Sequence, residues 1–169
     1  MIVVFGSKIP RIDPGVYIEQ SAYVIGDVTI KQHSSVWFNA VIRGDIHYIK
    51  IGAYTNIQDC VVIHVTQKLY PTEIGDYVTV GHSAIIHGSK IDNNCLIGIG
   101  AIILDGAVIP EYCIVAAGSL VPPRAHYPSH SLIMGTPAKV LRKLSEKDKE
   151  MITAGAKDYA EVKEYYRDK

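Results

Sequence analysis

The sequence predicts an all-β fold, a parallel β-helix of hexapeptide repeats followed by a C-terminal α-helix. The first observation behind this prediction is a six-residue period of isoleucine and valine, interrupted by short slips and one longer insertion. The period runs through Ile18, Val24, Ile30, Val36 and Ile42, then Ile51, Ile57 and Ile63, then Ile74, Val80 and Ile86, and finally Ile91, Ile97, Ile103, Ile109, Val115 and Val121.

The second observation is a mostly small residue four positions after most of these aliphatic residues, as at Ala22, Ser34, Ala84 and Cys95. In a parallel β-helix the aliphatic residue points inward and the small residue fills a corner, so that three short strands make one triangular coil. Separate strands of a β-sandwich would instead alternate apolar and polar residues, with turns every roughly 8–12 residues. That pattern is absent.

The chain is long enough for one domain with a substantial core. The proline-rich "VPPRAHYPSH" (121–130) breaks the repeat, so we expect a β-helix domain over 1–123, an exit segment over 124–144, and a helix over 145–169 that packs back on the coil. Ser145 is a suitable N-cap and Asp148 its capping-box partner. The apolar stripe of this helix is predicted at Ile152, Ala156, Tyr159, Val162 and Tyr166.

Composition excludes several kinds of partner. Seventeen basic and seventeen acidic side chains cancel, which argues against nucleic acid or an anionic membrane surface. No apolar run approaches membrane-spanning length, and the start of the chain does not have the form of a signal peptide. Three cysteines, Cys60, Cys95 and Cys113, are typical of reduced thiols in a cytoplasmic protein. Cys95 and Cys113 are expected to be stacked in the core, one coil apart.

Two histidines occupy the same place in successive coils. When the hexads are grouped in threes, His64 and His87 fill one slot on one side of the triangle, a coil apart. Neighbouring coils are about 4.8 Å apart, so both rings could bind one metal ion at roughly 2.0–2.1 Å. Arg43 fills the same slot one coil below and Leu104 one coil above.

A third histidine, His82, belongs to the preceding side of the triangle, where it stacks above Asp59. Within one chain it should not reach the other two, but a second chain packed alongside could offer it across the seam. Three chains around a threefold axis would complete three such sites. The spacing therefore favours a homotrimer with intersubunit metal sites. The remaining histidines, His33, His47, His126 and His130, are interpreted as surface residues.

Three segments resemble the signature segments of the gamma-class carbonic anhydrases: "AVIRGDIHYIKIG" (40–52), "TNIQDCVVIH" (55–64) and "VGHSAIIHG" (80–88). The resemblance spans essentially the whole chain. It implies a left-handed coil, and a metal site with His64 and His87 from one subunit and His82 from its neighbour. It implies Zn²⁺, with Fe²⁺ or Co²⁺ also accepted by such ligands, and a metal-bound hydroxide that attacks carbon dioxide to give bicarbonate.

The same resemblance implies roles for the polar residues around the histidines. Arg43, Asp45 and Asp59 would form a charged network across the subunit seam. Gln58 would hydrogen-bond the metal-bound solvent, and Asn56 would help to place the substrate.

The chain departs from the best-studied enzymes of the class at two places. Those enzymes carry a glutamate after the R-G-D aspartate, where this chain has Ile46. They also carry a long acidic loop after the first histidine, where this chain has only "VTQKLYPTE" (65–73), with Glu73 its single acid. Both differences remove acids that would export protons, so turnover is expected to be slow.

Two other functions stay open. The segment "GTPAKVLRKL" (135–144) resembles the exit segment of hexapeptide acyltransferases, which favours an acyl-CoA thioesterase or acyltransferase, although a proline-stiffened last turn explains it equally well. A non-catalytic trimeric scaffold with a structural metal is the other alternative. It would require a fourth protein ligand, and the sequence offers no evident one.

Overall fold

Short parallel strands wind into a β-helix, as the six-residue period predicts, and the coil is left-handed, as the resemblance implies. The computed structural model describes residues 1–167, and the last two residues of the helix predicted over 145–169 lie outside this range. The strands are β1 (Ile2–Val3), β2 (Arg11–Ile12), β3 (Tyr17–Ile18), β4 (Tyr23–Ile30), β5 (Ser35–Val36), β6 (Val41–Ile51), β7 (Asn56–Ile57), β8 (Val62–His64), β9 (Thr72–Ile74), β10 (Thr79–Val80), β11 (Ile85–His87), β12 (Lys90–Ile91), β13 (Leu96–Ile97), β14 (Ile102–Ile103), β15 (Val108–Ile109), β16 (Ile114–Val115), β17 (Leu120–Val121), β18 (Ser131–Gly135) and β19 (Ala138–Lys143). The helices are α1 (Glu146–Val162) and α2 (Glu164–Arg167).

The strands form the three sides of a triangular prism. Side 1 contains β3, β5, β7, β10, β13, β16 and β18, with β19 added antiparallel at its end. Side 2 contains β1, β8, β11, β14, β17 and the first parts of β4 and β6. Side 3 contains β2, β9, β12, β15 and the last parts of β4 and β6, which both bend around the corner between sides 2 and 3.

The core is a stack of aliphatic side chains in register. On side 1, for example, Ile57 pairs with Val80, Val80 with Ile97, and Ile97 with Val115, and all four are fully buried. Each such side chain contributes about 1.5–3 kcal/mol by its removal from water. The predicted small corner residues are buried as well, among them Ala22, Ser34, Ala84 and Cys95. The periodic interpretation of the sequence is therefore confirmed at the level of side chains.

The outward-facing rows of the three sides differ in chemistry. Side 3 presents mainly charged and polar residues to solvent, Arg11, Thr29, Lys50, Glu73 and Lys90, and its row ends with the apolar Val108. Side 1 is covered by α1, whose Ile152 packs with Leu96, Ile114 and Leu132. Side 2 presents an apolar row, which consists of Tyr23, Val41, Val62, Ile85, Ile102 and Leu120. Tyr23, Val62 and Ile85 keep about two fifths of their surface exposed, at 40%, 40% and 38%.

Helix α1 begins as predicted but buries a different residue near its end. Ser145 and Asp148 form the expected capping box. Ile152 and Ala156 are buried, but Val162 is 41% exposed and Lys163 is buried instead, at 1% exposure. Lys163 lies seven residues after Ala156 and so shares its face of the helix, whereas Val162, six residues after Ala156, does not. Counted from Tyr159, spacings of three and four residues admit either position, and apolar character favoured the wrong one. The Lys163 stem lies against the protein and its ammonium donates to the carbonyl of Gly15 at 2.8 Å.

The cysteines lie where the repeat places them. Cys95 and Cys113 precede the paired residues Leu96 and Ile114, so they are stacked on adjacent coils, and both are buried free thiols. Burial raises the pKa of the Cys95 thiol far above its ordinary value. Cys60 is a free thiol at an exposed corner.

Over residues 1–167, no helix combines the length and hydropathy that crossing a lipid bilayer requires.

Candidate metal centre

The first two candidate ligands lie side by side. His64 ends β8 and His87 ends β11, and the two residues are register partners, which confirms the prediction that they share a slot. Nδ1 of His64 lies 3.1 Å from Nε2 of His87. The neighbouring apolar residues Val62 and Ile85 are part of the apolar row of side 2. The pair therefore lies at the edge of that exposed apolar surface.

The outer nitrogen of each ring faces an aspartate. His64 Nε2 lies 3.0 Å from Asp45 Oδ1, and His87 Nδ1 lies 2.6 Å from Asp105 Oδ1. Because a carboxylate can only accept, both of these ring nitrogens carry the hydrogen, and in a neutral ring the other nitrogen is left with a lone pair. Two lone pairs 3.1 Å apart repel each other unless a cation or an extra proton lies between them.

The nitrogen separation suits a metal ion. Two nitrogens bound to one tetrahedral zinc at roughly 2.0–2.1 Å would be about 3.3 Å apart, close to the 3.1 Å between His64 Nδ1 and His87 Nε2. Histidine ligands usually donate their second ring nitrogen to a carboxylate, a backbone carbonyl or a water, and both rings here face a carboxylate. The residues present therefore fit a zinc ion, with two of its ligands arranged by one chain.

His82 lies apart from this pair, as the grouping of the hexads into coils predicts. It follows side 1 at the corner, and its Nδ1 lies 2.8 Å from Oδ2 of Asp59, the residue one coil below. Its backbone N–H donates to Gln58 Oε1 at 3.2 Å. Among residues 1–167, no three or more histidine, cysteine or acidic side chains converge to hold a metal ion. Within the described residues of one chain, His82 and the His64–His87 pair are therefore separate.

The two amides expected in the site form a fixed chain on side 1. Gln58 Nε2 donates to Asn56 Oδ1 at 3.2 Å, and Asn56 Nδ2 donates to Thr79 Oγ1 at 2.9 Å. Asn56 is 1% and Gln58 6% exposed, so burial and these bonds orient both amides. They lie beside His82 and apart from the His64–His87 pair.

A groove of about 410 Å³ runs from Gln58 and His82 along side 1 toward later coils, beneath α1. Its walls are mainly aliphatic residues, alanine and glycine, and Tyr159 of α1 lines it as well. Burial, and secondarily the negative charge of Asp59, raise the pKa of Tyr159, so its hydroxyl stays protonated at neutral pH.

The charged residues expected around the site fall into two groups. Arg43 forms an ion pair with Asp45, and Lys8 donates to the Asp45 carbonyl at 2.6 Å. Burial alone would raise the pKa of Asp45, but hydrogen bonds from His64 and then Arg43 outweigh it and lower the pKa below its ordinary value. Asp45 is therefore a carboxylate at neutral pH. Asp59 is not part of this group in one chain, because it lies with His82.

The structure shows no acidic side chain close to the histidine pair at the two places, residue 46 and the loop 65–73, where the best-studied enzymes carry acids. Ile46 is 38% exposed, and its backbone N–H donates to Asp45 Oδ1 at 2.9 Å. Glu73 lies in the outer row of side 3, where the Tyr48 hydroxyl donates to it at 2.8 Å. Glu73 thus faces solvent around the corner from the histidine pair.

Two polar residues at the site were missed by the sequence reasoning. Asp105 bonds His87, and Thr66 donates to the second oxygen of Asp105 at 2.7 Å. The sequence held one usable signal, since Asp105 directly follows Leu104, the residue in the slot above His87. Asp105 lies at the corner after this slot, and its carboxylate reaches the His87 ring. Residue spacing alone does not reveal this contact.

The fold and the site together define a hexapeptide-repeat β-helix protein with histidines at the ends of adjacent strands. No family model matches the chain. It is 52% identical over 153 residues to the "Probable carbonic anhydrase" of Methanocaldococcus jannaschii, over 90% of this chain and 96% of that protein. It is 43% identical over 157 residues to gamma carbonic anhydrase 2 of Arabidopsis thaliana mitochondria, covering 90% of this chain but only 56% of that longer protein.

Among solved structures, a Bacillus cereus protein provisionally named an acetyltransferase superposes with a TM-score of 0.96 at 40% identity, over 99% of this chain and 96% of that one. The sequence relatives are similar over nearly the whole length of the chain. The protein therefore belongs to the gamma-class carbonic anhydrase family.

Proposed function

We propose that the protein is a zinc-dependent carbonic anhydrase of the gamma class, which hydrates carbon dioxide to bicarbonate at sites shared between the subunits of a homotrimer. The observation that carries this proposal is the His64–His87 pair, with its two inner nitrogens 3.1 Å apart and its outer nitrogens on aspartates. Fe²⁺ and Co²⁺ suit the same three-imidazole set.

A zinc ion bound there would supply a Lewis acid that makes hydroxide available near neutral pH. The chain's own residues then have separate tasks. Asp45, Asp59 and Asp105 would hold the three imidazoles in the tautomer that leaves one nitrogen free. Gln58 and Asn56 would present amide groups to the solvent and to the substrate, because their orientation is fixed by burial and by Thr79. Arg43 would neutralise Asp45 and attract bicarbonate.

The trimer is supported by the apolar row of side 2. This row is exposed in one chain, it borders His64 and His87, and the other two sides are either charged or covered by α1. A second copy that covers the row with its side 1–side 2 corner would bring its own His82 to the pair. Three such contacts close a ring, so that every copy has the same surroundings.

A cytoplasmic location is proposed from the three cysteines, which are all free thiols.

Thioester hydrolysis is the second candidate. The acetyltransferase name of the Bacillus cereus structure and the aliphatic groove beside Gln58 and His82 favour it. Hydroxide supplied by the same metal site could attack the carbonyl of an acyl thioester whose chain lies in that groove.

A purely structural metal fits less well, because it would need a fourth protein ligand. Asp45 and Asp105 are the carboxylates nearest the pair, and both are already engaged by the outer ring nitrogens.

The first prediction concerns metal content and activity together. Zinc-loaded protein should contain about one metal ion per chain and should hydrate carbon dioxide faster than it hydrolyses acetyl-CoA, in parallel stopped-flow and thiol-release assays. His64→Ala, His82→Ala and His87→Ala should each lose metal and activity, because each removes one of three ligands. His33→Ala is the control, since His33 lies at another corner. Full metal content in all three ligand variants would refute the site.

The second prediction concerns which chain supplies which ligand. A His64→Ala chain keeps a usable His82, and a His82→Ala chain keeps a usable His64–His87 pair. A 1:1 mixture of the two should recover metal at about a quarter of the seams if chains assemble at random around the ring. Each homotrimer alone should be empty.

The control for this experiment is a mixture of His64→Ala with His87→Ala, whose lesions fall on the same side of every seam, so no site is restored. Chain exchange is verified by mass spectrometry of the assembled trimers. If both mixtures stayed equally empty after exchange, the three histidines would not meet across a subunit boundary.

The third prediction concerns proton export. Ile46 offers no acid, and Glu73 lies on side 3 bonded to Tyr48, so hydration should be slow and should increase with the concentration of small imidazole buffers. Stopped-flow rates at constant pH and ionic strength measure this dependence. Fast hydration that ignores buffer concentration would mean that another group of the protein carries the proton.

A further inference from the structure

We propose that Asp105 is a positioning residue for the metal ligand His87, and that the loop 65–71 is a clamp that holds Asp105 in place. The inference rests on the proposed metal site and assigns it two groups, Asp105 and Thr66, that complete the support of the ligand pair. It also gives the short loop a purpose other than proton transfer.

Both oxygens of the Asp105 carboxylate are engaged. Oδ1 accepts from His87 Nδ1 at 2.6 Å, and Oδ2 accepts from the Thr66 hydroxyl at 2.7 Å. A carboxylate fixed at both oxygens cannot rotate away from the ring without breaking one of these bonds. The hydrogen bond that one ring nitrogen makes decides which nitrogen carries the proton. Asp105 therefore holds the hydrogen on Nδ1 and leaves Nε2 toward His64.

Backbone hydrogen bonding and close packing hold the loop 65–71 against the corner that contains Gly88 and Gly106. The backbone N–H of Thr66 donates to the carbonyl of Tyr70 at 2.9 Å, which closes the loop on itself. Tyr70 lies directly over Gly88 and Gly106. A Cβ added at Gly88 would be 2.8 Å from Tyr70 Cβ, and one added at Gly106 would be 2.9 Å from Tyr70 Cε1. Only glycine at these two positions of positive φ lets the tyrosine pack so closely.

The strand that follows the loop also reaches the first ligand. Thr72 donates its hydroxyl to the carbonyl of His64 at 2.7 Å, and the N–H of Gly88 donates to the same carbonyl at 3.1 Å. The segment 65–72 thus contacts His64 through Thr72 and His87 through Thr66 and Asp105. A change in the loop is therefore transmitted to the geometry of the ligand pair.

The loss of such a supporting carboxylate usually reduces metal affinity by about 10–100-fold. Asp105→Ala should therefore weaken zinc binding at least about tenfold, as measured by competition with a chelator. Thr66→Val, which removes only the hydroxyl, should weaken it by a smaller factor. Asp92→Asn is the matched control, because Asp92 is also a corner carboxylate of similar exposure, 35% against 33%, but pairs with Lys90 on side 3. It should bind zinc as the wild type does.

A second readout does not depend on metal or activity. In the metal-free protein, ¹⁵N NMR of the histidine rings should show His87 with its hydrogen on Nδ1, and Asp105→Ala should shift the ring to a mixture of tautomers. Sedimentation and thermal unfolding establish that each variant keeps its fold and assembly. Should Asp105→Ala fail to fold, Thr66→Val decides, since it keeps the charge and nearly the same volume.

The outcomes separate this inference from the proposed function. If His87→Ala still bound zinc as the wild type does, the metal site itself would be wrong. If His87→Ala lost zinc while Asp105→Ala and Thr66→Val kept wild-type affinity and the Nδ1 tautomer, only the positioning role would be overturned. Equal weakening in Asp92→Asn would also overturn it, because a general loss of negative charge would then explain the result.

Discussion

The in-register stacking of parallel coils is the constraint on which the rest of this structure depends. The inward aliphatic side chains pack only when each coil lies directly above the last, so a residue's place in its hexad fixes its neighbours above and below. His64 and His87 meet for this reason, as do Cys95 with Cys113 and Asp59 with His82. No long-range loop has to bring these residues together, because the core already does so.

The same constraint keeps the three candidate ligands from meeting within the described residues of one chain. The pair lies at the end of side 2 strands, while His82 lies at the corner that follows side 1, and the packed core keeps these places apart. The surface beside the pair is apolar and exposed, and the remaining outward rows are charged or lie under α1. An exposed apolar surface of this kind commonly marks a contact between proteins. Assembly and metal binding are therefore expected to be one event in this protein.

The parts of the structure that follow the period were predictable from the sequence, since six-residue spacing directly assigns side, slot and burial. The coil, the shared slot of His64 and His87 and the separation of His82 all belong to this part. The capping box was predictable from a local pattern instead, a serine at 145 with an aspartate three residues later. Other features depend on side-chain reach and are not periodic. Lys163 took the buried place expected for Val162 because a long stem can carry its charge to a carbonyl. Asp105 and Thr66 could not be predicted, because Asp105 contacts His87 at a corner of the coil and Thr66 lies in the loop 65–71, which interrupts the period.

The central claim is that the apolar row of side 2 joins the chains and thereby completes the metal site. The most direct measurement determines molar mass by sedimentation, and zinc per chain, for Ile102→Lys beside Val108→Lys. Ile102 lies in the apolar row one coil above Ile85, and Val108 is an outward residue of side 3. The account predicts a folded monomer without zinc for Ile102→Lys, and a trimer with about one zinc per chain for Val108→Lys. A folded Ile102→Lys monomer that retained one zinc per chain would contradict it.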